Sequence, residues 1–282
     1  MPWSEGLPPQ QEQGAFGVVG LGRMARALLI PLLEGGELQP AQVRAVVGSA
    51  ASALRLSEAH GLTVGTDPQH AWRCPVVLLA VKPQQLEQVA AEAARCFAAD
   101  PGPETVAPAP PASRLLISVL AGVRLERLQR LFPLWRCVRA VPNAPALVAA
   151  GLIGLAWGEG IDAEQRAWVE RLFVRVGEVM ELPEPQLDAF LALTSSGPAY
   201  VALIAEAMAD GAVAAGLPRP LAAHLAHRTL AGTAALLKER ELHPGQLKDM
   251  VSSPAGTTMA GLRELERAIE RAKRRDASRG QR

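Results

Sequence analysis

The chain has few of the large side chains that usually fill a core. Aromatic residues make up 4% of its 282 positions, with a single tyrosine. Packing must fall to small aliphatic side chains, and 49% of the chain is hydrophobic, enough for one large or two ordinary domains. Cysteine is scarce as well. Cys74, Cys96 and Cys137 are odd in number and far apart, so neither a disulfide framework nor metal-ligand spacing follows, and a reducing, cytoplasmic setting is expected. Excess charge is missing too: 29 basic against 28 acidic residues leave +1, which gives no electrostatic case for nucleic acid or an acidic membrane as partner. No apolar run reaches the ~18 residues of a membrane helix. The start, Met1-Pro2-Trp3-Ser4, lacks the basic and apolar regions of a secretory leader, and residues 1–13 read as a disordered tail. Histidine is sparse, and none sits beside a Ser–acid arrangement suited to hydrolysis. His224 and His227 have i,i+3 spacing without a third ligand, which argues a helix-surface pair and no metal. The partner left by these absences is a small molecule.

What is present begins with an alternation. Apolar, strand-like segments at Phe16–Gly20, Val43–Val47, Pro75–Val81 and Leu115–Leu120 alternate with helical patterns at Met24–Leu33 (interrupted by Pro31), Ser52–His60 and Gln84–Cys96. The runs at 75–81 and 115–120 have no polar face, as strands buried on both sides require. The order predicts an α/β fold with a parallel sheet. Residues 100–112, rich in Pro and Ala, read as a loop insertion. After about Pro185 the strand signals stop. Helices are expected over Leu187–Gly216, Leu221–Glu241, Pro244–Val251 and Met259–Lys273, with Pro218 at a helix start. The expected limits are a dinucleotide-binding domain over 14–183 and an all-α domain over 184–282. Ala-rich helices of this kind often complete their cores against a second chain, so a homodimer or higher homo-oligomer is expected.

Two constellations carry chemistry. Gly17-x-x-Gly20-Leu21-Gly22-Arg23-Met24-Ala25 follows an apolar strand and opens a helix, the context in which a glycine turn cradles a pyrophosphate on a helix N-terminus. An acid at the end of the second strand would read a ribose 2′-hydroxyl. None follows Val47; Ser49 and Ser52, with Arg44 or Arg55 nearby, would tolerate a 2′-phosphate, so NADPH is favoured with NADH possible. Ala80-Val81-Lys82-Pro83 and Val119-Leu120-Ala121 end two further strands on the edge where such folds bind ligands. Asn143, bracketed by Pro142 and Pro145, lies on a further rim loop.

The second constellation is Val251-Ser252-Ser253-Pro254-Ala255-Gly256-Thr257-Thr258. It is a poor helix interior, and its hydroxyls and backbone N–H groups are free to face something small and anionic.

At these residues the chain resembles a known family. Residues 244–266, with Ser252-Ser253-Pro254-Ala255-Gly256-Thr257-Thr258 at their centre, look like the signature of the Δ1-pyrroline-5-carboxylate reductases. The glycine turn, Ala80-Val81-Lys82-Pro83 and Ser196-Gly197-Pro198-Ala199-Tyr200 match the same family in the same order. The resemblance runs from about 15 to 266. It implies a Rossmann-like domain followed by an all-α dimerisation domain, and NAD(P)H-dependent reduction of a cyclic imine to L-proline, the last step of proline biosynthesis. By position, Ser253 and Thr258 match residues holding the substrate carboxylate and ring nitrogen, with Ala255, Gly256 and Thr257 completing the loop. Glu241 matches an acid near it, and Asp67 a contact to the cofactor adenine. Three departures stand out: Ala255 where the family has glycine, Thr194-Ser195-Ser196-Gly197 in place of Ser-Gly-Ser-Gly, and Glu266 running directly into the basic stretch 267–275. With less surface for a larger ring, a dimer is expected over a decamer.

Two other readings stay open. A β-hydroxyacid-type dehydrogenase shares this architecture, but needs a lysine in a Gly-x-x-Gly-x-Gly-x-x-x-Lys context that 185–282 lacks. A non-catalytic dinucleotide-binding protein would share the glycine turn alone.

Overall fold

A computed structural model describes residues 16–98, 114–254 and 256–279. The expectations for 1–13, for 100–112 and for Ala255 lie outside the described residues. The strands are β1 (Phe16–Val19), β2 (Val43–Val46), β3 (Thr63–Gly65), β4 (Val76–Leu79), β5 (Leu115–Ser118), β6 (Arg136–Val141), β7 (Gly151–Trp157) and β8 (Gly177–Glu181). They form one sheet in the order β3-β2-β1-β4-β5-β6-β7-β8. All neighbours are parallel except β6 and β7. The strand order reverses between β1 and β4, and that reversal opens the crevice where doubly wound sheets hold their ligands.

Each face of the sheet is covered. Helices α1 (Arg23–Glu34), α2 (Ala50–His60), α3 (Gln69–Trp72), α4 (Leu86–Ala98), α5 (Leu125–Leu131) and α6 (Ala163–Val174) follow the strands. Val18, Leu78 and Ile117 point to one face and pack with Leu28, Leu29 and Trp168 of α1 and α6. Val19, Val77, Leu79 and Leu116 point to the other and pack with Trp72, Leu86 and Leu128. This period-2 division, with both faces apolar, is why the central strands read as continuous hydrophobic runs. Pro31 does not interrupt α1: the helix continues to Glu34. The missing N–H falls in the last turn, and Gly35 N–H donates to Pro31 O at 2.9 Å, so the end stays closed.

Chain contacts divide the protein into two units, one ending at Tyr200 and one beginning at Val201. The remaining helices are α7 (Leu187–Thr194), α8 (Gly197–Ala214), α9 (Arg219–Glu239), α10 (Pro244–Val251) and α11 (Thr257–Arg279). The helix expected over 187–216 is therefore two helices. Thr194 Oγ1 donates to Phe190 O at 2.8 Å, and Ser195 closes α7. Small hydroxyl residues compete for backbone partners in this way and break helices. By length and composition alone, 184–214 contains an 18-residue window apolar enough to cross a membrane, with mean hydropathy 1.4 and 11% of the window buried, although the stretch is divided between α7 and α8. The expectation that no stretch reaches membrane length is corrected on those grounds.

In the second unit the buried apolar cluster is Ala209, Ala222 and Ala226, with Ala212 and Val213 against it. Large apolar side chains lie outside it: Leu203 is 65% exposed and Leu225 44%.

Candidate active site

The C-terminal edge of the sheet is squared off by backbone bonds that run one residue past each strand. Val47 N–H donates to Gly65 O at 3.0 Å, Gly20 N–H to Val46 O at 3.0 Å, Ala80 N–H to Val19 O at 2.9 Å, and Val119 N–H to Leu79 O at 3.0 Å. Four of the expected cofactor segments are thus aligned along one edge. Gly17 sits in the middle of β1, where a Cβ would fall 2.2 Å from Ala71 O, so it permits α3 to approach the sheet. Gly20 turns the chain with φ +90°, a left-handed conformation that favours glycine. Leu21 is buried and anchors the turn. Gly22 then serves as N-cap of α1 with no side-chain cap, and no acid stands in the first turn. A Cβ at Gly22 would meet nothing within 4 Å. Arg23 is exposed and Met24 half-buried. Uncapped N–H groups, open space and no competing carboxylate suit a phosphate. The residues present fit a dinucleotide on this observation.

At the end of β2, Ser49 is the N-cap of α2. Its Oγ accepts from Ser52 N–H at 3.3 Å and lies 3.0 Å from Ser52 Oγ. It therefore has a structural role in addition to any ribose contact, and α2 also lacks an acid in its first turn. Arg44 is placed elsewhere. Its Nη1 donates to Ala41 O and Thr63 Oγ1, both at 3.1 Å, on the opposite side of the strands from their C-terminal edge. Arg55 is exposed on α2. Asp67 follows β3 and accepts from Gln69 N–H at 3.0 Å, which helps start α3.

At the end of β4, Ala80 and Val81 are half-buried and Lys82 is exposed. Lys82 N–H donates to Gln85 Oε1 at 3.2 Å, closing the turn that Pro83 begins. After β5, Val119 is half-buried, Leu120 buried and Ala121 exposed. Asn143 is 4% exposed. Its Nδ2 donates to Thr194 O at 3.0 Å, and its Oδ1 accepts from Leu152 N–H at 2.9 Å. The amide fixed by the two prolines thus joins the rim loop to β7 and to the end of α7.

An ion cluster around a buried arginine was not foreseen in the sequence. Arg139 of β6 is 1% exposed, and donates through Nη1 to Glu184 Oε1 at 3.2 Å and through Nη2 to Asp188 Oδ1 at 2.7 Å. Its hydrogen bond, then its charge, hold the Asp188 carboxyl below the ordinary carboxylate range. The available signal was an arginine inside the apolar run Cys137-Val138-Arg139-Ala140-Val141 of β6.

The hydroxyl loop lies in the second unit. Glu241, in the turn after α9, is exposed and adopts φ 49°, rare for a side chain other than glycine. His243 caps α10, its Nδ1 accepting from Gly245 N–H at 3.1 Å. Ser252 Oγ is buried without a partner among the described residues. Gly256 N–H donates to Ser253 O at 3.0 Å. The next helix starts at Thr257, two residues before the expected Met259, so Thr257 and Thr258 occupy its first turn. Ser253, Thr257 and Thr258 are exposed, and the first turn holds no acid. This is a second helix start furnished with hydroxyls and N–H groups and free of negative charge, chemistry suited to a carboxylate.

Cys74, Cys96 and Cys137 are buried and free. Burial pushes Cys74 and Cys137 up to about 12, which makes them poor nucleophiles. Among the described residues, no group of three His, Cys, Asp or Glu could hold a metal ion.

A glycine turn at the reversal point of a doubly wound sheet, with a helical second unit, places the protein among the dinucleotide-dependent oxidoreductases. Residues 15–100 match the family described as NADP oxidoreductase, coenzyme F420-dependent, and residues 184–279 the one described as pyrroline-5-carboxylate reductase dimerisation. The pyrroline-5-carboxylate reductase of Synechocystis is 43% identical over 256 residues, covering 89% of this chain and 90% of the relative. The chain belongs to the pyrroline-5-carboxylate reductase family. Among solved structures, a pyrroline-5-carboxylate reductase from Coxiella burnetii matches with a TM-score of 0.74 at 30% identity, covering 92% and 93% of the two chains. The Plasmodium falciparum pyrroline carboxylate reductase, solved with NADP bound, matches with a TM-score of 0.79 at 25% identity, covering 94% of each.

Proposed function

We propose that the chain reduces Δ1-pyrroline-5-carboxylate to L-proline with NADPH, NADH being a usable second reductant. The observation that carries this is the start of α11. Ser253, Thr257 and Thr258 are exposed hydroxyl residues at a helix start with no acid in its first turn, which supports a carboxylate site in a chain 43% identical to a reductase of that name. The β-hydroxyacid alternative has no lysine in the context it needs, and a non-catalytic role leaves this site without a purpose.

Imine reduction requires a hydride at carbon and a proton at nitrogen, and no strong nucleophile. The bound dinucleotide would supply the hydride. In our assignment Gly20, Leu21, Gly22, Arg23 and Met24 hold its pyrophosphate and Ser49 its 2′-phosphate, while Gly17, buried in β1 against Ala71, has a packing role instead of the expected cofactor contact. Asp67 borders the adenine. Ala80–Pro83, Val119–Ala121 and Asn143 form the nicotinamide rim. Ser253, Ala255, Gly256 and Thr257 hold the substrate carboxylate, which fixes the ring and converts an encounter into an oriented pair. The Thr258 hydroxyl hydrogen-bonds the ring nitrogen, and Glu241 is the acid of the substrate region. We assign residues 14–183 to the cofactor domain and 184–282 to the pairing and substrate-loop domain.

We further propose a homodimer as the minimum assembly. The exposed apolar surface of α8 and α9, and the small alanine-rich cluster beneath it, support a second copy as its cover. Free buried thiols fit a reducing compartment, and we place the protein in the cytoplasm. The deciding experiment follows NADPH consumption on adding pyrroline-5-carboxylate to purified protein, with product identified as proline. Cofactor binding without turnover would sink the reductase reading.

A further inference from the structure

Arg139 makes a poor stabiliser. Its guanidinium is taken almost wholly out of water, and its Nε is buried without a partner among the described residues. Taking the guanidinium out of water carries a desolvation cost, which acceptors that are themselves 25% and 54% exposed offset only in part, so its value is to be sought in what it holds in place. The partners of its partners give the answer. Glu184 Oε1, which accepts from Arg139, also accepts from Leu125 N–H at 2.6 Å, at the otherwise uncapped start of α5. Asp188, the second acceptor, lies 4.0 Å from Arg124 Nη2. Arg124 and Leu125 end the loop that begins at Val119. The other end of that loop is held next to Arg139 as well. Ser118 pairs with Arg139 in the strand register, is fully buried, and accepts from Leu120 N–H at 3.4 Å. The loop from Val119 to Arg124 thus leaves the sheet beside Arg139 and is tethered to it at its far end, through Glu184 and Asp188.

We propose that Arg139 is a positioning residue for hydride transfer. Through Glu184 and Asp188 it sets the loop 119–124 on the ligand edge, without itself touching either reactant. This rests on the reading of that edge as the nicotinamide rim. A loop displaced by about 1 Å at a reacting pair costs on the order of 100-fold in rate, while the phosphate contacts of the cofactor, made at α1 and α2, stay intact. The expected signature is a fall in kcat with cofactor affinity preserved.

The test uses the full chain with Arg139→Met, Arg139→Lys and Glu184→Gln. Glu184→Gln keeps the packing and serves if Arg139→Met fails to fold. Thermal unfolding first establishes that each assayed variant is folded at the assay temperature. Three quantities are then measured: kcat and KM with NADPH and pyrroline-5-carboxylate, direct NADPH affinity by fluorescence titration, and hydrogen–deuterium exchange of the peptide spanning 119–128. For Arg139→Met or Glu184→Gln, kcat should fall at least tenfold while NADPH affinity stays within about threefold, and the 119–128 amides should exchange faster. Arg139→Lys should recover part of kcat. Unchanged kcat in folded variants, or a loss of NADPH affinity equal to the loss of kcat, overturns the proposal. If the wild type proves inactive on this imine, exchange at 119–128 and NADPH titration still decide the tether. Faster exchange confined to that peptide in folded Glu184→Gln supports it, and unchanged exchange removes it.

Discussion

Gly20 and Ala80 meet so closely that a Cβ on Gly20 would lie 2.8 Å from the Ala80 carbonyl oxygen. The contact joins the first turn of the nucleotide crevice to the end of β4, and it occurs at φ +90°. Gly20→Ala combines a forced left-handed backbone with a backbone clash, and should cost roughly 1–3 kcal/mol of stability. Gly22→Ala meets no neighbour, and should cost only about 0.5–1 kcal/mol, the usual loss of a glycine N-cap. Both should weaken NADPH binding, the second because its methyl enters the space assigned to phosphate. Thermal unfolding and NADPH titration check the pair. If Gly22→Ala binds NADPH as the wild type does, the pyrophosphate is not there.

Cofactor choice is tested at Ser49. The serine caps α2, and aspartate is as good a cap, so Ser49→Asp leaves the fold intact and changes only the charge facing a 2′-phosphate. The ratio of kcat/KM for NADPH over NADH should fall by about tenfold or more, the equivalent of ~1.4 kcal/mol. A wild type that prefers NADH would overturn the reading of this loop.

How much of this could be read from the chain depended on whether a residue's partner was near in sequence. β1, β4 and β5 announced themselves because both faces are buried. Their neighbours β6, β7 and β8 did not. β6 carries Arg136 and Arg139, β7 has glycine at both Gly151 and Gly154, and β8 is only half-buried, so none shows a clean apolar run. The glycine turn and the hydroxyl loop were legible because their residues are contiguous. Arg139 was not, since the carboxylates that neutralise it lie 45 and 49 positions away. Asn143 illustrates the same limit. Its bracketing prolines suggested a fixed amide, but its bond to Thr194 O spans 51 positions. The start of α11 was misplaced by two residues because threonines read as loop where they in fact begin the helix.

Thr258 lies in the first turn of α11 with its side chain exposed. Removing its hydroxyl should leave the fold unaffected and a substrate nitrogen without its partner. Thr258→Ala is expected to lower kcat/KM for the imine by the equivalent of ~1–3 kcal/mol, with NADPH affinity unchanged. Steady-state kinetics with a parallel cofactor titration decide the matter. A comparable loss of cofactor affinity would move Thr258 to the nucleotide site.

Assembly follows from the mismatch between the apolar surface and the core of the second unit. Among the described residues of this unit the buried apolar side chains, Ala205, Ala209, Ala222, Ala226 and Leu247, are all small but one, while Leu203, Ile204 and Leu225 stand 65%, 51% and 44% exposed. A second copy would cover this surface, and a stable pair needs about 800 Å² from each partner. Leu203→Glu should therefore shift the protein toward monomer in sedimentation at micromolar concentration, and lower its thermal stability. Leu54→Glu serves as the control. Leu54 is 63% exposed, but it stands alone on α2, so its substitution should leave the assembly unchanged. A wild-type monomer with full reductase activity would refute the dimer. A larger ring would leave the pairing of these helices standing and set aside only the expectation that assembly stops at two.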